Sequence, residues 1–276
     1  GGVGGGCVAG GGPGGFASSE RAWGLLAAER GRDPAGLRCR NLIAGPFQYT
    51  TVTGLTHDTG DYARALDLAL EAAGYQELRM EQTARRERGE RLQLGIGLCS
   101  YVEMTAVLNT TEFGEARAEA DGSIVIAVGT TASGQGHETA YSQLASQLLG
   151  VPIDSIRVVQ SDTGTVARGS GTSGSRSLQL GGSAVRGACI ALVEKAKEEA
   201  GRRLEASLED IVRTADGRFG VAGVPANALS WAELAAATTL TAAFGFEQSS
   251  RPCPGGFHGD VRRGDGEAGA GQGKVK

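Results

Sequence analysis

The chain has 276 residues and a formal net charge of −4 at pH 7, with 40% hydrophobic and 21% charged side chains. That is enough for one large or two ordinary domains with a real core, and an acidic balance with scattered Lys and Arg argues against a nucleic-acid surface. No apolar run reaches the ~18–20 residues of a membrane span and no signal peptide precedes the globular pattern, so a cytoplasmic protein without a transmembrane segment is expected.

The 46 glycines far exceed the usual ~7%, and they cluster at the ends. Residues 1–15, "GGVGGGCVAGGGPGG", offer nothing to pack, and residues 254–276 carry no apolar periodicity. Both ends are expected to be frayed, truncated or translated out of frame, with the fold held in the middle.

In chain order, "SSERAWGLLAAERGRD" (18–33) reads as a helix capped by Ser18 or Ser19, with Ala22, Leu25, Leu26 and Ala28 on its apolar face. "DPAGLRCRNLI" (33–43) follows, with Asp33 as cap, Pro34 at the first helical position and Leu37 pointing inward. "DYARALDLALEAAGY" (61–75) is a helix capped by Asp61, filled by Leu66, Leu68 and Leu70 and stopped at Gly74. "EQTARRERGERL" (81–92) reads as a solvated, charged helix face. "LQLGIGLCSYVEMTA" (92–106) alternates and reads as a strand, and "EARAEADGSIVIAVGTT" (115–131) as a hairpin turning at Asp121-Gly122.

"ETAYSQLASQLLGV" (138–151) predicts a helix with Ala140, Leu144, Leu148 and Leu149 on one side and Gly150 closing it. "SIRVVQSDT" (155–163) predicts a strand, "ARGSGTSGSRSLQLGGSA" (167–184) a glycine-serine loop, and "AVRGACIALVEKAKEEAGRRLEA" (184–206) a long amphipathic helix. A capped helical turn, an Asp216-Gly217 turn and a short strand follow, then a helix at 230–237 opened by a Ser230–Glu233 capping box. The order is mixed α and β, with strand–loop–helix units at 123–149 and 155–203.

Cys7, Cys39, Cys99, Cys189 and Cys253 form no CxxC pair, and His57, His137 and His258 are too sparse for a His-based metal site. Buried or incidental thiols are expected, and a metal would have to arrive inside an organic cofactor. Candidate chemistry lies in two loops. In "SGQGHET" (133–139), Gly134 and Gly136 permit close backbone approach. The helix that follows aims its first N–H groups at the same point, and Gln135 offers a donor and an acceptor suited to a lactam edge or an oxo group. "GSGTSGSRS" (169–177) adds hydroxyls, bare amides and the fork of Arg176, an inventory for a phosphate or pyrophosphate. It carries no GK[ST] and is no Rossmann fingerprint, since no short strand leads directly into it and no helix is expected to begin there. Together the loops suggest one extended ligand, with hydrogen-bonding rings at one end and a phosphate at the other. His137 and Glu138 look acid–base capable, but Glu138 sits where a helix N-terminus ordinarily favours a carboxylate.

From about 13 to 250 the sequence resembles the molybdopterin-binding large subunit of the xanthine dehydrogenase, aldehyde oxidase and carbon monoxide dehydrogenase family. The resemblance runs through "DPAGLRCRNLI", "DTGDY", "GIGLCSYVE", "GTTASGQGHETAYSQLASQLLGVP", "VVQSDT" and "GSGTSGSRS". It implies an α+β fold with mixed sheets and packed helices. It implies that Gly134, Gln135 and Gly136 contact the pterin of the molybdenum cofactor. Gly171, Thr172, Ser173, Ser175, Arg176 and Ser177 would wrap the pyrophosphate and nucleotide, in bacteria usually as molybdopterin cytosine dinucleotide. It further implies hydroxylation of a small substrate by water, with electrons leaving through an FAD-binding medium subunit and a 2Fe-2S small subunit. On this resemblance, residues 1–15 are a frayed N-terminus and 16–115 the first part of the molybdopterin-binding region. Residues 116–250 are then the cofactor-binding α/β region and 251–276 a degenerate tail.

The sequence departs from the family in three places. The family's base, a glutamate in a GxGE setting, is expected to be absent: Gly89-Glu90 is in a charged helix, and Gly266-Glu267, although it ends a GDGE run, is in the tail. "GGPGGFASSER" (11–21) stands where relatives carry a YRGxGRPE-like loop, with Gly12 in place of an arginine and Gly14 of an acid. Cys7 lacks the AYRCSFR setting of the carbon monoxide enzymes, which points away from that reaction. The alternatives are a nucleotide- or phosphometabolite-binding module without redox activity, or a truncated inactive product.

Overall fold

The computed structural model describes residues 12–52, 54, 56–106, 111–248, 254–267 and 273–275. They belong to two compact units, one made of Gly1–Thr105 with Pro252–Lys276 and the other of Ala106–Arg251.

The first unit begins with α1 (Gly12–Glu29) and α2 (Pro34–Cys39). Asp33 caps α2 as expected, its Oδ2 accepting from Gly36 N at 2.8 Å. Ser18 and Ser19 do not cap α1. They lie inside it, and their hydroxyls donate back to the carbonyls of Gly14 and Gly15 at 3.0 and 2.9 Å. The buried face of α1 also differs from expectation: Ala27 is fully buried while Leu25 and Leu26 are exposed. A charged side chain decides this packing. Arg38 is buried, its Nε 2.8 Å from Glu20 Oε2, and its Nη2 donates to the carbonyls of Glu20 and Leu98. It thereby ties α1 and α2 to the long strand that follows.

Next come the short pair β1 (Tyr49–Thr50) and β2 (Thr56–His57), then α3 (Tyr62–Ala72), α4 (Tyr75–Glu87) and β3 (Leu92–Met104). Asp61 caps α3 as expected, and Gly74 at φ +60° turns the chain directly into α4. Leu66 is buried, but Leu68 is exposed. The charged helix α4 is only partly solvated, since Gln82 is buried and its Nε2 donates to Leu94 O at 2.7 Å.

The second unit carries a four-stranded mixed sheet. β4 (Thr111–Ala118) and β5 (Ile124–Val128) form the expected hairpin, turning at Asp121 and Gly122. The chain crosses through α5 (His137–Leu149) to β6 (Ile156–Val159), which lies parallel to β5. A helical segment, Ser177–Gly182, runs straight into α6 (Ser183–Leu204), so the glycine-serine loop ends at Arg176 rather than at 184. β7 (Ile211–Arg213), β8 (Phe219–Val221) and α7 (Trp231–Ala237) follow, α7 opened by the expected capping box. β9 (Leu240–Glu247) then pairs antiparallel with β4, giving the order β6-β5-β4-β9.

The core lies between this sheet and α5 and α6, built from Ile124, Ile126, Val128, Tyr141, Leu149, Val185, Cys189 and Leu192, among others. In α5 the most buried row is His137, Tyr141, Ala145 and Leu149, while Leu144 and Leu148 pack only partly. Burial pushes the Cys189 thiol up to about 12, as suits an inert core residue. α6 lies so close to the sheet that a Cβ on Gly114 would stand 2.7 Å from the Ala184 carbonyl carbon.

The glycine-rich C-terminal stretch returns to the first unit. β10 (Pro254–Glu267) pairs antiparallel with β3 from Pro254↔Met104 to Glu267↔Leu92, and β11 (Gly273–Val275) adds at its edge. A ladder uses backbone groups, so this strand needs no apolar alternation to form. Arg85 of α4 secures it through Asp265 at 2.8 Å. The fold is α+β with mixed sheets and packed helices, as expected.

Two predictions follow from this packing. Gly114→Ala should destabilise the second unit by about 1–3 kcal/mol, read as a lower denaturant midpoint. Gly24→Ala, where a Cβ meets nothing within 4 Å, should stabilise by about 0.5–1 kcal/mol. Tyr75 donates to Asp33 Oδ1 at 2.8 Å, and burial together with that carboxylate raises its pKa to about 12. A raised folded pKa gives stability that is present below about pH 10 and lost as pH climbs toward 12. Tyr75→Phe should flatten that alkaline limb in a pH series of unfolding curves.

Candidate functional site

β5 delivers the chain to a turn, residues 129–136, that ends on the first residue of α5. Gly134 and Gly136 have φ of +104° and +75°, conformations that are cheap only without a Cβ. A Cβ built at either would meet nothing within 4 Å, so this corner has open space beside its backbone. α5 starts without a side-chain cap, which leaves the donors of its first turn to solvent or to a ligand, preferably an electron-rich one. Gln135 is exposed, and its Oε1 accepts from Ser133 N to close the turn.

One residue from the neighbouring strand fixes this corner. Gln160, just past β6, accepts through Oε1 from Ala132 N at 3.0 Å and lies 3.2 Å from His137 Nδ1. An amide oxygen only accepts, so Nδ1 donates in this contact. The ring's Nε2 is buried and has no partner among the described residues. His137 is thus a packed anchor of the corner, while Glu138 is exposed in the first turn of α5.

The second loop is stitched to the first. Gly171 N donates to Gly129 O at 3.1 Å, and Thr131 N donates to Thr172 Oγ1 at 3.0 Å. Thr172 Oγ1 lies 3.1 Å from Ser177 Oγ. Below them, Tyr141 OH donates to Ser177 O at 2.8 Å and meets Thr130 Oγ1 at 2.8 Å. Burial holds the Tyr141 pKa above its ordinary value, which keeps this donor protonated. The backbones of Gly129 and Gly169 touch, for a Cβ on Gly169 would stand 2.6 Å from Gly129 O.

The structure places the remaining predicted residues as follows. Gly171, at φ +68°, has open space where a Cβ would be; Ser173 is half-buried; Ser175 is exposed at φ +54°. Arg176 differs from expectation. It is 1% exposed and its Nη2 lies 3.0 Å from Glu112 Oε2 while donating to Thr111 O. The guanidinium is turned inward and held through Nη2, so Arg176 supports the loop from beneath. A cavity of about 350 Å³, lined by Glu112, Phe113, Arg168, Ser170 and Glu247 among others, opens beside the start of this loop. Glu112, Gln160 and Tyr141 had no functional signal in the sequence. Gln160 lies within "VVQSDT", but nothing local shows that its amide reaches back to the turn.

Residues 68–266 match the family described as the molybdopterin cofactor-binding domain. The chain belongs to that family. It is 36% identical over 231 residues to the carbon monoxide dehydrogenase large chain of Afipia carboxidovorans, which covers 78% of this chain and 28% of that one. It is 34% identical over 224 residues to 6-hydroxypseudooxynicotine dehydrogenase complex subunit gamma of Paenarthrobacter nicotinovorans, covering 79% of this chain and 28% of the relative. Among solved structures, carbon monoxide dehydrogenase from Oligotropha carboxidovorans superposes with a TM-score of 0.78 at 31% identity, over 93% of this chain and 35% of that one. The chain therefore spans less than a third of the length of these curated relatives.

Within this molybdopterin-binding family the converging loops belong to the second unit. Of the three Gly-Glu pairs of the chain, two belong to the first: Glu90 follows α4 and pairs with Arg88 at 2.6 Å, and Glu267 closes β10 opposite Leu92; the third, Gly114-Glu115, lies on β4 of the second. Cys7 lies outside the described residues, and the stretch 12–21 is part of α1.

The stitched geometry makes one prediction. A Cβ on Gly129 would collide with Glu112 Oε1 and stand 2.5 Å from Gly169 Cα, so Gly129→Ala must push the loops apart. It should cost about 1–3 kcal/mol and make the 169–177 segment newly sensitive to limited proteolysis.

Proposed function

We propose that this chain forms much of the cofactor cleft of a molybdenum hydroxylase large subunit and binds molybdopterin in its cytosine dinucleotide form. The observation that carries this reading is the direct joining of the two loops, Thr131 N to Thr172 Oγ1 and Gly171 N to Gly129 O. One long ligand needs both loops on one surface, and these bonds put them there.

The residues present fit such a group. Open space stands where Gly134, Gly136 and Gly171 lack a Cβ, and the buried, unpartnered His137 Nε2 adjoins the corner. In this reading Gly134, Gln135 and Gly136 contact the pterin. Their amides and the Gln135 carboxamide match the mixed donor–acceptor edge of its rings. Gly171, Thr172, Ser173, Ser175 and Ser177 wrap the pyrophosphate and nucleotide through hydroxyls and backbone N–H groups. Arg176 acts on this binding only through the loop it holds.

When bound, the cofactor supplies hydroxylation of an electron-poor carbon with water as the oxygen source, on an aldehyde, an N-heterocycle or a similar small substrate. The chain orients and desolvates; no residue of it is assigned as the base. Electrons leave through an FAD-binding subunit and a 2Fe-2S subunit. That reading is supported by relatives whose names describe a large chain and a subunit of a complex.

The test is purification of the chain with its neighbouring subunits, followed by elemental analysis and acid release of the nucleotide. Molybdenum near stoichiometry with cytidine nucleotide is expected, and Thr172→Ala should reduce both by about tenfold, the effect of roughly 1.4 kcal/mol. A preparation that binds adenosine nucleotides and holds no pterin overturns the reading in favour of a plain nucleotide-binding module.

A further inference from the structure

We propose that the buried pair Glu112–Arg176 is a positioning clasp that sets the height and register of the 171–177 loop for its ligand. The proposal rests on the cofactor reading above and extends it to Glu112, a residue outside both loops.

The geometry is asymmetric. Glu112 is fully buried on β4, where its Oε1 accepts from Phe113 N at 2.9 Å and its Oε2 lies 3.0 Å from Arg176 Nη2. The same Nη2 donates to Thr111 O. The guanidinium is therefore gripped by two successive residues of one strand, one through its carbonyl and one through its carboxylate. Arg176 Nε and Nη1 and Glu112 Oε2 are buried without a hydrogen-bond partner among the described residues, so the carboxylate meets Nη2 as an ion pair. Leaving buried donors unmade is costly, and a buried ion pair adds little net stability over well-packed apolar side chains. What such a pair can supply is direction, because Nη2 meets the Thr111 carbonyl and the Glu112 carboxylate together in only one arrangement.

That direction acts on the ligand loop at its C-terminal end. Arg176 follows Ser175 and precedes Ser177, and Gly174 O accepts from Ala106 N at 2.8 Å. The segment is thus tied to the start of the second unit at both Gly174 and Arg176. The Glu112 carboxylate also occupies the space that a Cβ of Gly129 would fill. One buried carboxylate consequently sets the spacing of β4, the end of β5 and the loop together. An apolar pair of equal volume could fill this space, but it could not register the three.

The experiment uses the complete complex and the double variant Glu112→Leu/Arg176→Met, which removes both charges and keeps the volume. Its melting temperature should stay near that of the parent, while pterin and molybdenum content fall by about tenfold or more. Amide exchange across 171–177 should accelerate with α6 unchanged. Parental cofactor content in the folded double variant overturns the proposal. If the double variant does not accumulate, the isosteric Glu112→Gln is measured for exchange alone; faster exchange confined to 171–177 supports the clasp, and unchanged exchange overturns it. A parent complex that holds no pterin defeats the cofactor reading instead, and the exchange comparison still decides the clasp.

Discussion

The site depends on one close approach: two backbones meeting where neither carries a side chain. Gly129 ends the buried strand β5 and Gly169 opens the second loop, and their contact leaves no room for a Cβ on either. From this contact the Gly171–Gly129 and Thr131–Thr172 hydrogen bonds follow in register. Larger residues would separate the loops by the thickness of a side chain, and those bonds would break. The glycine content that looks like low complexity in the sequence is, at this point, the condition for joining two loops into one surface.

Polar groups without water organise the space around that contact. Gln160 holds the first corner, Tyr141 and Thr130 support the base of the second loop, and Glu112 holds Arg176. The first three make hydrogen bonds whose loss would leave a buried polar group unpaired, and the last is a buried ion pair. The result is a rigid floor under exposed, flexible-looking peptide. Other groups are left open: the bare positions at Gly134, Gly136 and Gly171, and the first turn of α5. Stiff support beneath and accessible donors above is the arrangement a long, polar, partly anionic ligand requires.

The first unit is assembled by a different logic. Its longest ladder joins β3 to a C-terminal strand with five glycines in its first thirteen residues, Gly255, Gly256, Gly259, Gly264 and Gly266. Backbone pairing and charged contacts, such as Arg38 with Glu20 and Arg85 with Asp265, hold it. An amphipathic pattern reports only burial of apolar faces. It was therefore blind to a strand paired through its backbone and to a helix face set by an arginine.

Local chemistry was legible in the sequence alone. The Asp33 and Asp61 caps, the Asp121-Gly122 turn, the Gly150 stop and the Ser230–Glu233 capping box depend on neighbours within a few residues. The quoted motifs likewise carried the family. What the sequence could not decide is anything that depends on a partner far along the chain. Arg176 reads as an exposed phosphate fork from its own loop, and only the strand that brings Glu112 beneath it, 64 residues earlier, turns it inward. The buried row of α5 shifted because the sheet and α6 chose which side of the helix lost its water, and Ser18 and Ser19 fell inside α1 because the helix continued upstream through glycines. Short-range hydrogen bonds are encoded where they form; burial and charge pairing are decided by whatever the rest of the chain brings against them.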